Sequence, residues 1–164
     1  MSDVRIGFAR ATARSVLSRF RVAKPPTELE PITAHEQLTV KLLQSWPPSV
    51  SGLLLRDARL IGLNGQHSRK RRRFSLAHEL GHWFMRHDFE WHEAEVTIDS
   101  PPSPVSFGKD PIEGEADEFA GELLAPRSFL KDALKKTQDV GALAELFDIS
   151  DEALWVRLLH HRLL

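Results

Sequence analysis

His78 and His82 stand four residues apart, with Glu79 beside the first, in the segment Arg73-Phe-Ser-Leu-Ala-His-Glu-Leu-Gly-His-Trp-Phe-Met85. If this segment is a helix, residues i and i+4 lie one above the other on one face, and both imidazoles can bind a single ion. Glu79 then sits about 100° round the helix. It is poorly placed as a ligand but can reach a water on that ion, the position of the general base in this motif. The rest of the segment is apolar on nearly every side, and such a helix is buried. Buried ionisable groups persist only when paired, hydrogen-bonded or bound to a metal. Metal-assisted hydrolysis is the chemistry that these residue types and this spacing allow.

A catalytic zinc usually takes three protein ligands and keeps its fourth position open. A metzincin would place Gly at 85 and His at 88, but the chain has Met85 and Asp88. Asp88 stays as an unusual alternative. A second segment, Glu113-Gly-Glu-Ala-Asp117, opens another helix after Pro111. Ala116, Phe119, Ala120, Leu123 and Leu124 mark its inward face, and Glu113 and Asp117 share it. Glu115, Glu118 and Glu122 recur on the opposite side and are expected to form a solvated acidic face. Periodicity therefore selects Glu113, rather than Glu115, as the third ligand. Asp117, one turn further on, can accept the second N–H of a ligating histidine and fix its ring. The alternative is that both carboxylates merely serve the first helical turn, where negative charge meets the helix dipole. Ala116, Ala120 and Gly121 are small enough to let the two helices approach.

The stretch Phe74-Ser-Leu-Ala-His-Glu-Leu-Gly-His-Trp-Phe, followed by Glu113-Gly-Glu-Ala-Asp-Glu-Phe-Ala-Gly-Glu-Leu-Leu-Ala-Pro126, resembles the ImmA/IrrE family of metallopeptidases. Ser51-Gly-Leu-Leu-Leu, Arg59-Leu-Ile-Gly-Leu-Asn64 and Leu143-Ala-x-x-Phe-x-Ile-Ser150 extend the likeness over roughly residues 25 to 160. The resemblance implies that His78, His82 and Glu113 bind the metal and that Glu79 is catalytic. It also implies a gluzincin-like fold and regulated cleavage of a protein, typically a helix-turn-helix transcriptional repressor. Zinc is the expected metal, though a His/His/Glu set also accepts manganese.

The elements that must position these residues follow from pattern and punctuation. The chain has 164 residues, enough for one domain with its own core, and no cysteine, which excludes disulfides and thiolate metal sites. The amino terminus lacks a signal peptide's apolar core and no run approaches a membrane span, so a cytoplasmic enzyme without membrane contact is expected. Residues 1–24 carry five arginines and one lysine against one acid, whereas 86–122 carry eleven acids against two bases. Ile6, Ala9, Ala13, Val16, Leu17 and Phe20 fall at helical spacing with Arg10, Arg14 and Arg21 opposite, a basic amphipathic helix that Lys24-Pro-Pro ends. Its basic face is expected to be solvated, with nucleic acid, a membrane surface or the chain's own acidic segment as the alternatives.

A short helix is expected within Thr27–His35, a strand over Leu38–Leu43, a loop at Trp46-Pro-Pro, and a hairpin joining Leu53–Leu55 to Arg59–Leu63. Strands before a metal-site helix commonly offer an edge to an extended peptide, the expected substrate site. Arg69-Lys-Arg-Arg-Arg73 opposes the dipole of the helix it begins, and compensation by the acidic 86–122 segment or by an acidic stretch of substrate is expected ahead of a nucleic-acid phosphate contact. The linker His87–Pro111, with Pro101-Pro-Ser-Pro104 and Phe107-Gly108, is expected beside the cleft, with His87 and His92 on the surface. Three helices should follow, over 127–136, 139–147 and 151–162, with Ser150 capping the last.

The expected architecture is thus α+β. A small antiparallel sheet packs on a helical core that contains the HExxH helix and ends in a helical C-terminal part. Residues 1–164 form one domain, divided into the basic helix 1–24, a catalytic core 25–126 and a helix-turn-helix-like part 127–164. The expected function is zinc-dependent proteolysis of a helix-turn-helix repressor in a regulatory, stress or mobile-element response. The competing readings are a DNA-binding regulator, and a toxin–antitoxin component that binds a partner without proteolysis. Asp151 and Glu152 weigh against DNA binding, because they put negative charge at the start of the would-be recognition helix. The chain has no tyrosine, so the oxyanion donor must be sought among His67, His160, His161 or an arginine.

Overall fold

A computed structural model describes residues 3–88, 97–99 and 110–164. His92, Pro101–Pro104 and Phe107-Gly108 lie outside the described residues. In chain order the elements are α1 (Ile6–Arg19), α2 (Glu30–His35), β1 (Thr39–Leu43), β2 (Gly52–Leu55), β3 (Leu60–Asn64), α3 (Arg69–Met85), α4 (Pro111–Leu124), α5 (Arg127–Leu134), α6 (Val140–Phe147) and α7 (Asp151–His160). No helix of the described residues is long and apolar enough to cross a membrane.

Local chemistry sets the helix ends. Ser68 Oγ accepts the Arg71 N–H at the start of α3, and Asp110 accepts the Ile112 N–H before Pro111, whose missing N–H costs nothing in a first turn. Asp139 and Ser150 cap α6 and α7 in the same way. The other end of α3 closes at Arg86, which is left-handed with φ 55° and ψ 44°. The His87 N–H returns to the His82 carbonyl at 3.2 Å, the wrap-around bond of a Schellman cap.

The sheet has three strands in the order β1-β3-β2. β2 and β3 form the expected hairpin, with Gly52 opposite Leu63 and Leu55 opposite Leu60. β1 runs parallel to β3, with Thr39 opposite Leu60, so the sheet is mixed rather than antiparallel. Turn residues specify only the neighbouring pair. The last strand inserts between the first two because its side chains suit the centre: Ile61 and Leu63 are buried, whereas Leu42 on β1 is half exposed.

Helix α4 is enclosed by its neighbours. On one side α3 comes close at Gly81, where an added Cβ would lie 3.2 Å from the Ala116 Cα and 3.1 Å from the Phe119 ring. On another side α1 packs against α4, with Ala9 and Ala13 fully buried. Gly121 serves a different purpose from the one expected. It faces Arg157 of α7, whose Cδ a Cβ there would meet at 2.7 Å.

Both basic stretches are matched internally, the first by the chain's own acidic segment and the second by acids that were not expected. Arg69 and Arg73 reach Asp148, and Lys70 reaches Glu145. The compensating acids thus lie at the α6–α7 turn instead of in 86–122. The face of α1 is not simply solvated, since Arg5 and Arg10 bind Glu115 and Glu118. Ile6, expected inside, is largely exposed, and α1 stops at Arg19, before Lys24-Pro-Pro.

Candidate metal centre

Three ligand atoms converge where α3 meets α4. His78 Nε2 lies 3.0 Å from Glu113 Oε2, His82 Nε2 lies 3.0 Å from Glu113 Oε1, and the two Nε2 atoms are 3.1 Å apart. Donors on a tetrahedral ion with bonds of 2.0–2.1 Å are about 3.3 Å from each other. The donor set therefore fits a divalent cation after only a slight expansion. Among the described residues this is the one His/Cys/Asp/Glu group whose ligand atoms gather closely enough for a metal ion. Asp88, the alternative third ligand, is exposed and outside it.

The electrostatics of the cluster point the same way. Glu79, Glu113 and Asp117 place three carboxylates about two histidines. Among the described residues no lysine or arginine forms an ion pair with any of the three. Burial alone would lower His78, but its hydrogen bonds to Asp117 and Glu113 outweigh that and raise it to about 10. Burial would raise Glu113, yet the two histidines bring it down to about 2. A proton held between an imidazole and a carboxylate is thus standing where a metal cation would serve.

Asp117 Oδ1 lies 2.8 Å from His78 Nδ1. It accepts the Nδ1–H, so that a cation at the cluster would displace the proton now shared between Nε2 and Glu113, as the partner of a ligating histidine must allow. Asp117 is itself exposed, so this side of the cluster reaches the surface.

Glu79 is buried against β2. A Cβ added to Gly52 would stand 2.8 Å from Glu79 Oε1 and 3.2 Å from its Cγ, so the carboxylate lies flat on the strand because residue 52 has no side chain. Burial raises Glu79 to about 7, against the pull of His78. A carboxylate at that value can accept and return a proton near neutral pH.

Two expectations fail in an instructive way. His87 is buried rather than on the surface, with Nδ1 2.8 Å from His82 Nδ1 and Nε2 2.8 Å from Glu115 Oε2. The sequence signal was weak. Residue i+5 of a continuing helix points elsewhere, and only the left-handed turn at Arg86 folds His87 back over His82. Glu115, Glu118 and Glu122 are also not solvated. All three are buried, with Arg5 and His87 on Glu115, Arg10 and Arg157 on Glu118, and Arg157 and His161 on Glu122. Periodicity treated carboxylates as solvent-facing, whereas arginines from both ends of the chain neutralise them.

The candidate oxyanion donors do not join the cluster. His160 and His161 sit on Glu118 and Glu122, on the back of α4. His67 Nε2 contacts the Pro48 carbonyl at 2.9 Å, before the first turn of α3 and roughly 15 Å from His78 at the helical rise per residue. The hairpin's Arg56 lies nearer. Its guanidinium donates to the His82 carbonyl at 2.7 Å and lies over the Trp83 ring, fastening β2–β3 to α3.

The peptidase family model described as the IrrE N-terminal-like domain matches residues 36–159, which include every residue of the cluster. A solved Mycobacterium tuberculosis transcriptional regulator shares the fold, with a TM-score of 0.64 and 16% identity over 93% of this chain. The chain spans 46% of that regulator's length. No curated protein matches it.

Proposed function

Because the chain belongs to the IrrE N-terminal-like family of peptidases, we propose that it is a metal-dependent endopeptidase in which His78, His82 and Glu113 hold the ion and Glu79 is the general base. The observation that carries this reading is the convergence of the three ligand atoms beside a buried carboxylate raised to about 7. When bound, zinc or manganese would acidify a water and polarise the scissile carbonyl. Glu79 takes the proton of the attacking water and returns it to the leaving amine. Asp117 holds His78 in the tautomer that presents Nε2. Among the described residues β2 is an edge of the sheet, and an extended peptide adding to that edge would pass over Gly52 beside Glu79.

The substrate we propose is a helix-turn-helix repressor, cleaved in a regulatory response. Family membership supports proteolysis, and a fold neighbour named as a transcriptional regulator is in keeping with that setting. DNA binding through α6 and α7 is less well supported. Arg157, the residue that might have met phosphate, is buried between Glu118 and Glu122, and Asp148 in the turn is taken by Arg69 and Arg73.

The test is incubation with the repressor encoded beside the gene, with zinc or manganese supplied and fragments identified by mass spectrometry. Wild type should cut at one site. Glu79→Gln should bind metal normally and cut at least about 100-fold more slowly, the usual scale of lost general-base catalysis. Undiminished cleavage by that variant would refute the mechanism.

A further inference from the structure

The second histidine of the motif has a partner on its far side, and that partner leads to the chain's first helix. His82 Nδ1 meets His87 Nδ1 at 2.8 Å, and His87 Nε2 meets Glu115 Oε2 at 2.8 Å. Glu115 in turn accepts three hydrogen bonds from Arg5, from the backbone N–H at 3.1 Å, Nε at 2.8 Å and Nη2 at 2.9 Å. Arg5 is the residue immediately before α1. His82, His87 and Glu115 are buried, and the chain of contacts reaches solvent only at Arg5 among the described residues.

The directions of the protons follow from the acceptor at the end. Glu115 bound to Arg5 is ionised and only accepts, so His87 donates from Nε2. The Nδ1 of a neutral His87 is then an acceptor, and the only proton available to it is the one on His82 Nδ1. That tautomer gives His82 Nε2, 3.0 Å from Glu113 Oε1, to a cation; without one the same nitrogen is the hydrogen-bond partner of Glu113. Asp117 imposes the same tautomer on His78 directly. The two histidines are therefore set alike by different means, one by a single carboxylate and the other by an imidazole, a carboxylate and an arginine in series.

Resting on the metal-site reading above, we propose that His87 and Glu115, anchored by Arg5, are positioning residues that fix the ring and tautomer of His82 for metal binding. Helix α1, which precedes the residues matched by the family model, thereby supports the metal centre. The left-handed turn at Arg86 is the device that brings His87 into line.

Zinc affinity measured against a competing chelator tests the proposal without reference to turnover. His87→Leu should bind zinc about 10- to 100-fold more weakly, the usual effect of losing a ligand's partner. His87→Gln, whose amide can accept from His82 and donate to Glu115, should recover to within about threefold on the same scale. Long-range 1H–15N NMR of the metal-free wild type should show His87 protonated at Nε2. This arm needs no variant to fold. Zinc affinity of His87→Leu within twofold of wild type, a His87→Gln variant as weak as His87→Leu, or a proton on His87 Nδ1 would overturn the proposal. If wild type bound no zinc, the proposed function would fall, and the NMR tautomer of His87 would still decide whether the relay exists.

Discussion

Helix α4 carries five carboxylates, and its two faces treat them in opposite ways. On the back, Glu118 and Glu122 are buried and matched by Arg10, Arg157 and His161. On the front, the side chains of Glu113 and Asp117 meet only histidines among the described residues, in a cluster with a third carboxylate, Glu79, close by. Among the described residues one face is matched charge for charge, and the other gathers carboxylates and histidines that could hold a metal ion. Glu115 stands at the seam, bound to Arg5 on one side and, through His87, joined to His82 on the other. A carboxylate on a buried helix is thus identified by what faces it rather than by its place in the helical repeat.

The comparison is broken most severely by removing an acid from the back face. Glu122→Leu leaves the Arg157 charge buried without its 2.6 Å partner. Stripping a buried charge of all its partners costs about 3–5 kcal/mol, and because Glu118 stays 2.7 Å from Arg157 about half of that is expected. Chemical denaturation should show a loss of that order, and a fully stable variant would mean that the back face is not electrostatically committed.

Acid should act on the same face more gently. Burial would raise Glu118, but its hydrogen bonds to Arg10 and Arg157 bring it to about 2, from an ordinary 4.5. His161 is lowered by burial and by Arg157 to about 4, from 6.5. For both groups the unfolded chain takes up the proton first. Their contribution to stability is complete above pH 6.5, declines below it as His161 is lost, and declines further from 4.5 toward 2 as Glu118 follows. In Glu118→Gln with His161→Asn, the slope of stability against pH over that range should flatten. An unchanged slope would count against these two groups as its source.

A smaller effect is expected at the front. In Gly52→Ala the new methyl would meet Glu79 Oε1 at 2.8 Å, so the carboxylate must shift while the three ligand atoms stay. Cleavage should fall about 10- to 100-fold, as expected for a displaced catalytic group, with zinc affinity unchanged. Loss of zinc with the activity would show that Glu79 is tied to the ligands more closely than the contacts imply.

How far these features are legible in the sequence depends on whether local rules govern them. The helix boundaries of α6 and α7 follow from Asp139, Ser150 and apolar spacing, and the observed ends fall within about two residues of the expected ones. The pairing of His78 with His82 is likewise a matter of one helical turn, and Glu113 with Asp117 follows from the next motif. Distant partners leave no such trace. Nothing near Glu118 announces Arg10, which is 108 residues away in the chain, and no turn residue specifies that β1 pairs with β3. His87 falls between these cases. Its effect is local, but it acts through a left-handed residue at Arg86 that no glycine marks.

The central claim, that the front of α4 and the HExxH helix form a metal centre, is met most directly by zinc titration of purified protein against a competing chelator. Wild type should hold one ion, Glu113→Gln should bind it more than about 100-fold more weakly, exceeding the loss of an outer partner, and Glu118→Gln should bind it as wild type does. Equal zinc affinity in wild type and Glu113→Gln, or no zinc bound by the wild type, would contradict the account.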